Sequence, residues 1–406
     1  MKILLLSHIF PPAIDGGSKV IYKLGQYLES QHHQTLYLSS NCSSTDDFIN
    51  SKFKAYLSRK VVRNFGPEGF IKLPVYTNFR KPLKFLNILL KQDLLKILQK
   101  GPVFKLIPFI KAIIQIIKFK PDLIIAGPLP TTIVLYANFF KKISTIYHLR
   151  PKILINASFH PTDPDFQQKT LINTLKKADF LWTLTQSETN YFIKNFNINS
   201  KKIILAGNGV DSSFLKKQKN LTSEKLRSEI LFIGSLAAHK RVDLLIKSFS
   251  TIDDRQSTIS LTIAGQKTLF YPQIEKLIKS LNSKIKSKIN FIFNFPQKNL
   301  AKIIDNCDVL ILPSIQESFG LVIIEAWARQ KPVICANIPA LKELVEKSNG
   351  GLLFEIDNQD DLTKKIKFIL DNTQKAQQMG KNGYKYVKNN YTWNKVGDKI
   401  CQKVLS

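Results

Sequence analysis

Residues 307–327 read CDVLILPSIQESFGLVIIEAW and hold the transition that sets the fold of the second half of the chain. The apolar run that ends at Leu312 predicts a buried strand, and the run Phe319–Arg329 predicts a helix. A short turn joins them, with Ser318 as the candidate N-cap residue. A strand followed by a helix in this way is typical of a parallel α/β sheet.

Two glutamates in this stretch are candidates for chemistry. Glu317 falls in the loop before the helix, and Glu325 falls in the helix body among apolar residues. The backbone N–H groups of Phe319, Gly320 and Leu321 fall in the first turn, where an anion binds well. The alternative is a helix-terminal charge plus an ordinary surface glutamate. Apolar neighbours make that alternative costly for Glu325, because an unexplained charge is poorly solvated there.

The same alternation of strands and helices extends along the chain. We expect strands in the first half at Ile3–Leu6, Thr35–Ser39, Leu123–Ala126, Thr145–Tyr147, Phe180–Thr183 and Lys202–Leu205. After a polar linker, Ser212–Ser228, further strands are expected at Ile230–Ile233, Ser260–Ala264, Asn290–Phe293, Val309–Leu312 and Val333–Ala336. The pattern predicts an α/β chain with two doubly wound parallel sheets in series. Such sheets bind ligands at the carboxyl ends of their strands, so we expect the site in a cleft between the two units.

Two other motifs have residues that suit phosphate. PPAIDGGS places Gly16 and Gly17 between the first strand and the first helix, where glycine permits close backbone approach. GSLAAHKRVD places Lys240 and Arg241 at the entry to a helix, and two cations there suit a diphosphate. The alternatives are a plain tight turn and two solvated charges.

Taken together, the motifs resemble those of the retaining glycosyltransferases of family 4. The resemblance covers nearly the whole chain and rests on PPAIDGGSKVIYKLGQYL, KKADFLWTLTQSE, AGNGVD, GSLAAHKRVDLLI and CDVLILPSIQESFGLVIIEAWARQKPVICANIPALKEL. It implies a GT-B architecture of two facing Rossmann-like domains with an inter-domain cleft. Residues 1–206 would form the acceptor-side domain and residues 207–389 the nucleotide-sugar donor domain. The final helix, about residues 390–406, would pack back on the first domain.

The resemblance also implies three catalytic residues. Glu317 would face the donor sugar at the reacting centre, and Lys240 would pair with the donor diphosphate. His148, within TIYHLRP at a predicted strand end, is similar to the family's histidine near the reacting sugar.

For donor binding, the resemblance implies contacts to phosphate, sugar and ribose. Glu325 would bind the ribose hydroxyls. The family usually has an arginine where this chain has Ser235, so either Arg241 or another residue would supply that charge, or the donor phosphates would be bound differently. The expected donor-binding set is Gly16, Gly17, Ser235, Lys240, Arg241, Phe319, Gly320, Leu321 and Glu325.

These residues imply transfer of a sugar from a nucleotide diphosphate donor to a hydroxyl of a glycan or glycolipid, with retention at the anomeric carbon. Cell-surface polysaccharide or lipopolysaccharide synthesis is the expected setting. No cofactor or metal ion is expected, because cationic and backbone groups would stabilise the leaving diphosphate. Three alternatives are a glycoside hydrolase, a sugar-nucleotide epimerase of similar fold and a basic nucleic-acid-binding protein. The phosphate-binding motifs argue against a hydrolase, and the ordered motif series against a nucleic-acid partner.

Charge and cysteine usage bear on partners and location. The net charge is +30, and residues 52–120 contain sixteen basic and two acidic residues. The segment 80–120 is also apolar at helical spacing, which fits either a helix on an anionic membrane surface or an ordinary surface helix. The four cysteines show no disulfide or metal spacing. We therefore expect a cytoplasmic protein, with peripheral association at the inner membrane face as an open alternative.

Overall fold

The computed structural model describes residues 1–10, 16–42, 69–75, 102–215, 227–252 and 258–405. These residues divide into two compact units. The first comprises Met1–Gly207 with Gly397–Ser406, and the second comprises Asn208–Val396. Each unit, in its described part, is built on a sheet whose strand pairs are all parallel, with helices between successive strands.

The first unit contains a seven-stranded sheet in the order β3-β2-β1-β4-β5-β6-β7, counted over its described residues. Its strands are β1 Lys2–Leu6, β2 Gln34–Ser40, β3 Phe70–Leu73, β4 Leu123–Ala126, β5 Lys152–Asn156, β6 Phe180–Thr183 and β7 Ile203–Leu205. Its helices are α1 Gly16–Ser30, α2 Leu106–Phe119, α3 Ile133–Ile146, α4 Lys169–Lys177 and α5 Gln186–Phe196. The central strands are nearly continuous runs of buried aliphatic residues, as expected when helices cover both faces of a parallel sheet.

The second unit contains a six-stranded sheet in the order β10-β9-β8-β11-β12-β13, again over its described residues. Its strands are β8 Arg227–Ile233, β9 Thr258–Gly265, β10 Ile289–Phe293, β11 Val309–Leu312, β12 Val333–Ala336 and β13 Gly351–Phe354. Its helices are α6 Val242–Ser250, α7 Tyr271–Ser280, α8 Ser283–Lys286, α9 Leu300–Asp305, α10 Leu321–Ala328, α11 Pro339–Ser348, α12 Gln359–Asp371 and α13 Thr373–Asn390. Because β8 and β11 are neighbours, the loops that follow them lie side by side at the carboxyl edge.

The final helix, α14 Trp393–Leu405, begins in the second unit and ends in the first. Its later residues pack on α1. Tyr27 donates a 2.5 Å hydrogen bond from its hydroxyl to Asp398, and a Cβ at Gly397 would lie 2.2 Å from the Tyr27 ring. Burial and the bond to the Asp398 carboxylate both raise the pKa of Tyr27 above its ordinary value.

Several sequence predictions need correction. Thr145–Tyr147 is not a strand, because α3 continues through Ile146 and a turn follows. Three strands were not predicted: Phe70–Leu73, Lys152–Asn156 and Gly351–Phe354. The predicted linker 212–228 contains a short 3-10 turn at Ser212–Leu215, and its residues 216–226 lie outside the described part.

The uncharged run Leu123–Phe140 forms β4, a turn and the start of α3. The run is therefore not one spanning helix. Of the helices in the described ranges, none combines the length and the apolarity that crossing a bilayer would require.

Candidate active site

The carboxyl edge of the second sheet joins Lys240 to Glu317. Lys240 ends a 3-10 turn that follows β8, and Glu317 lies in the loop after β11. The backbone N–H of Ile315 donates to the carbonyl of His239 at 2.9 Å, which ties the two loops together. The Lys240 ammonium therefore lies 2.5 Å from a Glu317 carboxylate oxygen, with both side chains less than one-fifth exposed. A cation and an anion are thus paired at the edge where ligands of such sheets bind.

Glu317 also affects the pKa of a buried thiol, that of Cys335. Cys335 lies on β12, beside the end of β11, and its side chain is completely buried. Burial raises the pKa of Cys335 well above its ordinary value, and the nearby negative charge of Glu317 raises it further. Cys335 therefore remains a neutral thiol under a negatively charged loop.

The helix after Glu317 begins later in the chain than Phe319, the start predicted from the sequence. Gly320, at φ +87°, is the N-cap residue and Leu321 the first helical residue, so the prediction of Ser318 as N-cap is wrong. The reason is steric, because a left-handed φ is accessible to glycine at no cost and disfavoured for serine. Phe319 is buried before the helix, with its ring 5.2 Å from Tyr391. The N–H groups without an intrahelical acceptor therefore start at the N-cap residue Gly320 and continue with Leu321, whereas Phe319 precedes the helix.

Glu325 lies on the same helix and is only 5% exposed. This confirms the expectation that its carboxylate lies on a buried flank, in contrast with Glu317 in the loop. A carboxylate so deeply buried is stable only when its oxygens are bound by donors. The two glutamates therefore have different surroundings, one buried in the helix and one paired with Lys240 in the loop.

Arg241 is paired within its own unit. Its guanidinium contacts Asp357 through Nη1, and its Nε lies 3.5 Å from Asp243. These two carboxylates offset its charge. Ser235 is half-buried in the loop after β8. Arg241 is thus a weak candidate for the charge that Ser235 lacks.

Lys267 is a cation that the sequence reasoning missed. It follows β9, and its loop is bonded to the Ser235 loop on both sides. Leu236 donates its N–H to Gln266, and Thr268 donates its hydroxyl to the Leu236 carbonyl. The Lys267 ammonium lies over the rings of Tyr271 and Phe293, 4.3 and 4.7 Å from their centroids. Lys267 could have been found from the sequence by its position two residues after the strand that ends in AG.

In the first unit, Gly17 lies at the carboxyl edge of the sheet. Gly16 and Gly17 begin α1, and a Cβ at Gly17 would lie 2.4 Å from a Pro128 side-chain carbon. Pro128 follows β4, so the start of α1 is packed against the end of that strand. The rest of the predicted glycine loop, 11–15, lies outside the described residues.

His148 lies at the opposite edge of the same sheet. It is exposed in the turn between α3 and β5, with its N–H bonded to Thr145. That turn leads into the amino end of a strand, because helices of a parallel sheet run back against the strands. His148 therefore does not follow the end of a strand, as the predicted strand Thr145–Tyr147 had implied.

Two other histidines do follow strands at the carboxyl edge. His8 comes after β1, is 2% exposed and has its Nε2 3.2 Å from the Ser18 hydroxyl of α1. His160 follows β5 and contacts the ring of Phe166 edge-on. The place of both histidines at the carboxyl edge could have been predicted from the sequence, since each comes shortly after an aliphatic run that forms a buried strand.

Part of the chain matches a known protein family. Residues 211–386 match the family model described as Glycosyl transferases group 1. An uncharacterized glycosyltransferase of Methanocaldococcus jannaschii is 30% identical over 237 residues, which cover 55% of this chain and 65% of the relative. The O-antigen chain mannosyltransferase RfbU of Salmonella typhimurium is 26% identical, over 48% of this chain and 52% of the relative. The chain thus spans about half to two thirds of the length of these relatives.

Solved structures match over the whole chain. Sucrose-phosphate synthase from Thermosynechococcus elongatus has a TM-score of 0.73 at 19% identity, over 100% of this chain and 98% of that one. The Anabaena protein HepE in complex with UDP-glucose has a TM-score of 0.71 at 16% identity, over 100% and 99%. The chain therefore has the same fold as these solved structures, a GT-B fold, and its residues 211–386 resemble the glycosyl transferases group 1 family.

Proposed function

We propose that the protein is a glycosyltransferase that moves a sugar from a nucleotide diphosphate donor to a hydroxyl group of a glycan or glycolipid. The observation that carries this proposal is the Lys240–Glu317 pair, 2.5 Å apart beside the start of α10. HepE was solved with UDP and with UDP-glucose, which supports a nucleotide-sugar donor. RfbU, a mannosyltransferase of O-antigen chains, supports a surface-glycan acceptor.

In this proposal the diphosphate competes with Glu317 for Lys240. A donor diphosphate brings two negative charges, and its oxygens accept hydrogen bonds from the ammonium group. Lys240 would then stabilise the charge that develops on the leaving nucleoside diphosphate, together with the N–H groups that begin at the N-cap residue Gly320. Release from Lys240 would leave Glu317 facing the sugar, and Glu325 would hold the ribose.

We assign the second cation to Lys267. Its loop adjoins Ser235, and its ammonium is held only by two aromatic faces in the contacts described. Such contacts are worth about 0.5–1 kcal/mol at exposed sites, so a diphosphate can draw the side chain away. Two cations and the helix start would supply the charge for departure of the diphosphate. The proposal therefore includes no metal ion. Retention at the anomeric carbon is carried over from the resemblance to the family 4 enzymes.

Turnover with a panel of nucleotide sugars tests the proposal. The purified protein is incubated with each donor, first UDP-glucose, and with glycan and glycolipid acceptors, and release of nucleoside diphosphate is measured. We expect release with at least one donor, loss of release in Lys240→Met, and no change on adding EDTA. Exposed Lys279, replaced by Met, is the matched control.

Two results would contradict transfer. Interconversion of the donor sugar without release of diphosphate would indicate the epimerase alternative. Tight nucleic-acid binding with no turnover of any donor would indicate the non-enzymatic one. If transfer is observed, nuclear magnetic resonance of the product's anomeric proton tests retention.

A further inference from the structure

The helix α2 has apolar residues on both of its faces. On its inner face Ala112 and Ile116 are buried, and Phe109 packs against aromatic residues of α3. The helix is therefore docked on the sheet and does not need its outer face for folding. Apolar residues all round a helix are typical of a core or membrane position.

The outer face of α2 is open to solvent. Leu106, Ile107, Ile110 and Ile114 are 63%, 71%, 47% and 49% exposed, and they fall at helical spacing on one side. Phe139 of α3 is 39% exposed, and its ring lies 5.5 Å from that of Phe109 beside them. A contiguous apolar surface of this kind marks an interaction site more often than a solvated face. We call these five residues the α2 face.

The charge around the α2 face has one sign. Lys105, Lys111, Lys118 and Lys120 are exposed on or next to the helix. No acidic residue occurs in the sequence between Asp93 and Asp122. Lysines along an apolar helical face attract anionic headgroups while the apolar side chains enter the interfacial region. A protein partner would need apolar and acidic groups arranged to match the α2 face. An anionic bilayer offers apolar and acidic groups across its whole surface.

We propose that the α2 face binds the surface of an anionic membrane, with α2 lying in the interfacial plane. The inference goes beyond glycosyl transfer and does not depend on it. It restricts the predicted membrane-binding segment 80–120 to those of its residues that the structure describes. The amphipathic part of that segment at Leu83–Ile97 lies outside the described residues. The lysines would supply attraction from a distance, and the four aliphatic residues with Phe139 would supply the buried apolar area.

Co-sedimentation with lipid vesicles tests the proposal. The full chain is mixed with vesicles of phosphatidylcholine alone or of phosphatidylcholine with phosphatidylglycerol, whose anionic headgroups give the surface a negative potential. We expect binding to the anionic vesicles that weakens with added salt. The double variant Ile107→Glu/Ile110→Glu should bind at least about tenfold more weakly, because charge replaces apolar area on the outer face.

The controls separate membrane binding from other causes. Ile193→Glu changes an isoleucine of α5 that is 38% exposed away from the α2 face, and it should bind like the unchanged chain. Circular dichroism and thermal melting should be the same for all variants, since the replaced side chains point outward. Equal vesicle binding by the double variant would overturn the proposal. So would a wild-type dimer that Ile107→Glu/Ile110→Glu dissociates without any vesicle binding, because the face would then join two copies.

Discussion

At the scale of single residues, Lys240 is the group on which the candidate site depends. It reaches Glu317 across 77 positions of sequence, through two loops tied by one backbone hydrogen bond. In the absence of donor, each residue satisfies the other's charge. The pair therefore keeps both side chains ordered in a partly buried place where either charge alone would be costly.

The two glutamates should differ in their kinetic effects. Glu317→Ala should lower kcat by about tenfold or more, because in the proposed reaction its carboxylate would act at the reacting sugar. Glu325→Ala should mainly raise the donor KM, because it removes binding that is equal in ground and transition states. Steady-state kinetics with varied donor concentration measures both, with exposed Glu346→Ala as the control. Equal effects on KM alone from both variants would contradict the division of roles.

The substitute for the absent arginine at Ser235 can be identified by comparing two cations. Lys267→Met should raise the donor KM by about tenfold, the usual cost of losing a hydrogen bond to a charged group. Arg241→Met should raise it by much less, since Asp243 and Asp357 already offset that guanidinium. Isothermal titration with the nucleoside diphosphate checks binding directly. The reverse order of effects would assign the role to Arg241.

At the scale of elements, the ends of β8 and β9 approach each other unusually closely. A Cβ at Gly265 would lie 1.7 Å from the carbonyl oxygen of Gly234, and Gly234 donates its N–H to Ala264. Backbone at this distance cannot give way as the end of a side chain can. The contact positions the two loops that contain Ser235 and Lys267.

Gly265→Ala should therefore both destabilise the protein and weaken donor binding. We expect a loss of about 3 kcal/mol in the free energy of unfolding, within the range for strained core substitutions. Urea unfolding followed by circular dichroism measures it. Gln273→Ala, exposed on α7, should change it by less than about 0.5 kcal/mol. Unchanged stability and unchanged donor KM in Gly265→Ala would show that the loops shift at no cost.

At the scale of the whole molecule, the two units contain different candidate functional residues. The second unit contains the Lys240–Glu317 pair, Glu325 and Lys267, all at or near the carboxyl edge of one sheet. The first unit presents Gly17 at its own carboxyl edge and the α2 face on its surface. The charge excess of residues 52–120 falls in this first unit, which agrees with a role there in binding an anionic surface.

Much of the fold could be predicted from local pattern. Leu123–Ala126, Phe180–Thr183, Val309–Leu312 and Val333–Ala336 are strands at the predicted residues, because a buried parallel strand is a continuous apolar run between turns. Thr145–Tyr147 was wrongly predicted as a strand, because a short run with β-branched residues can also be the end of a helix. The buried setting of Glu325 was likewise visible in its apolar neighbours.

By itself, therefore, the sequence determined two parallel α/β sheets in series and the residue types available at their loop ends. Only the tertiary structure decided which loops meet. The order β10-β9-β8-β11 brings Lys240 to Glu317 and sets Lys267 beside Ser235, and the course of α3 puts His148 at the far edge. The physical reason is that apolar periodicity is local, whereas strand order depends on packing between residues distant along the chain.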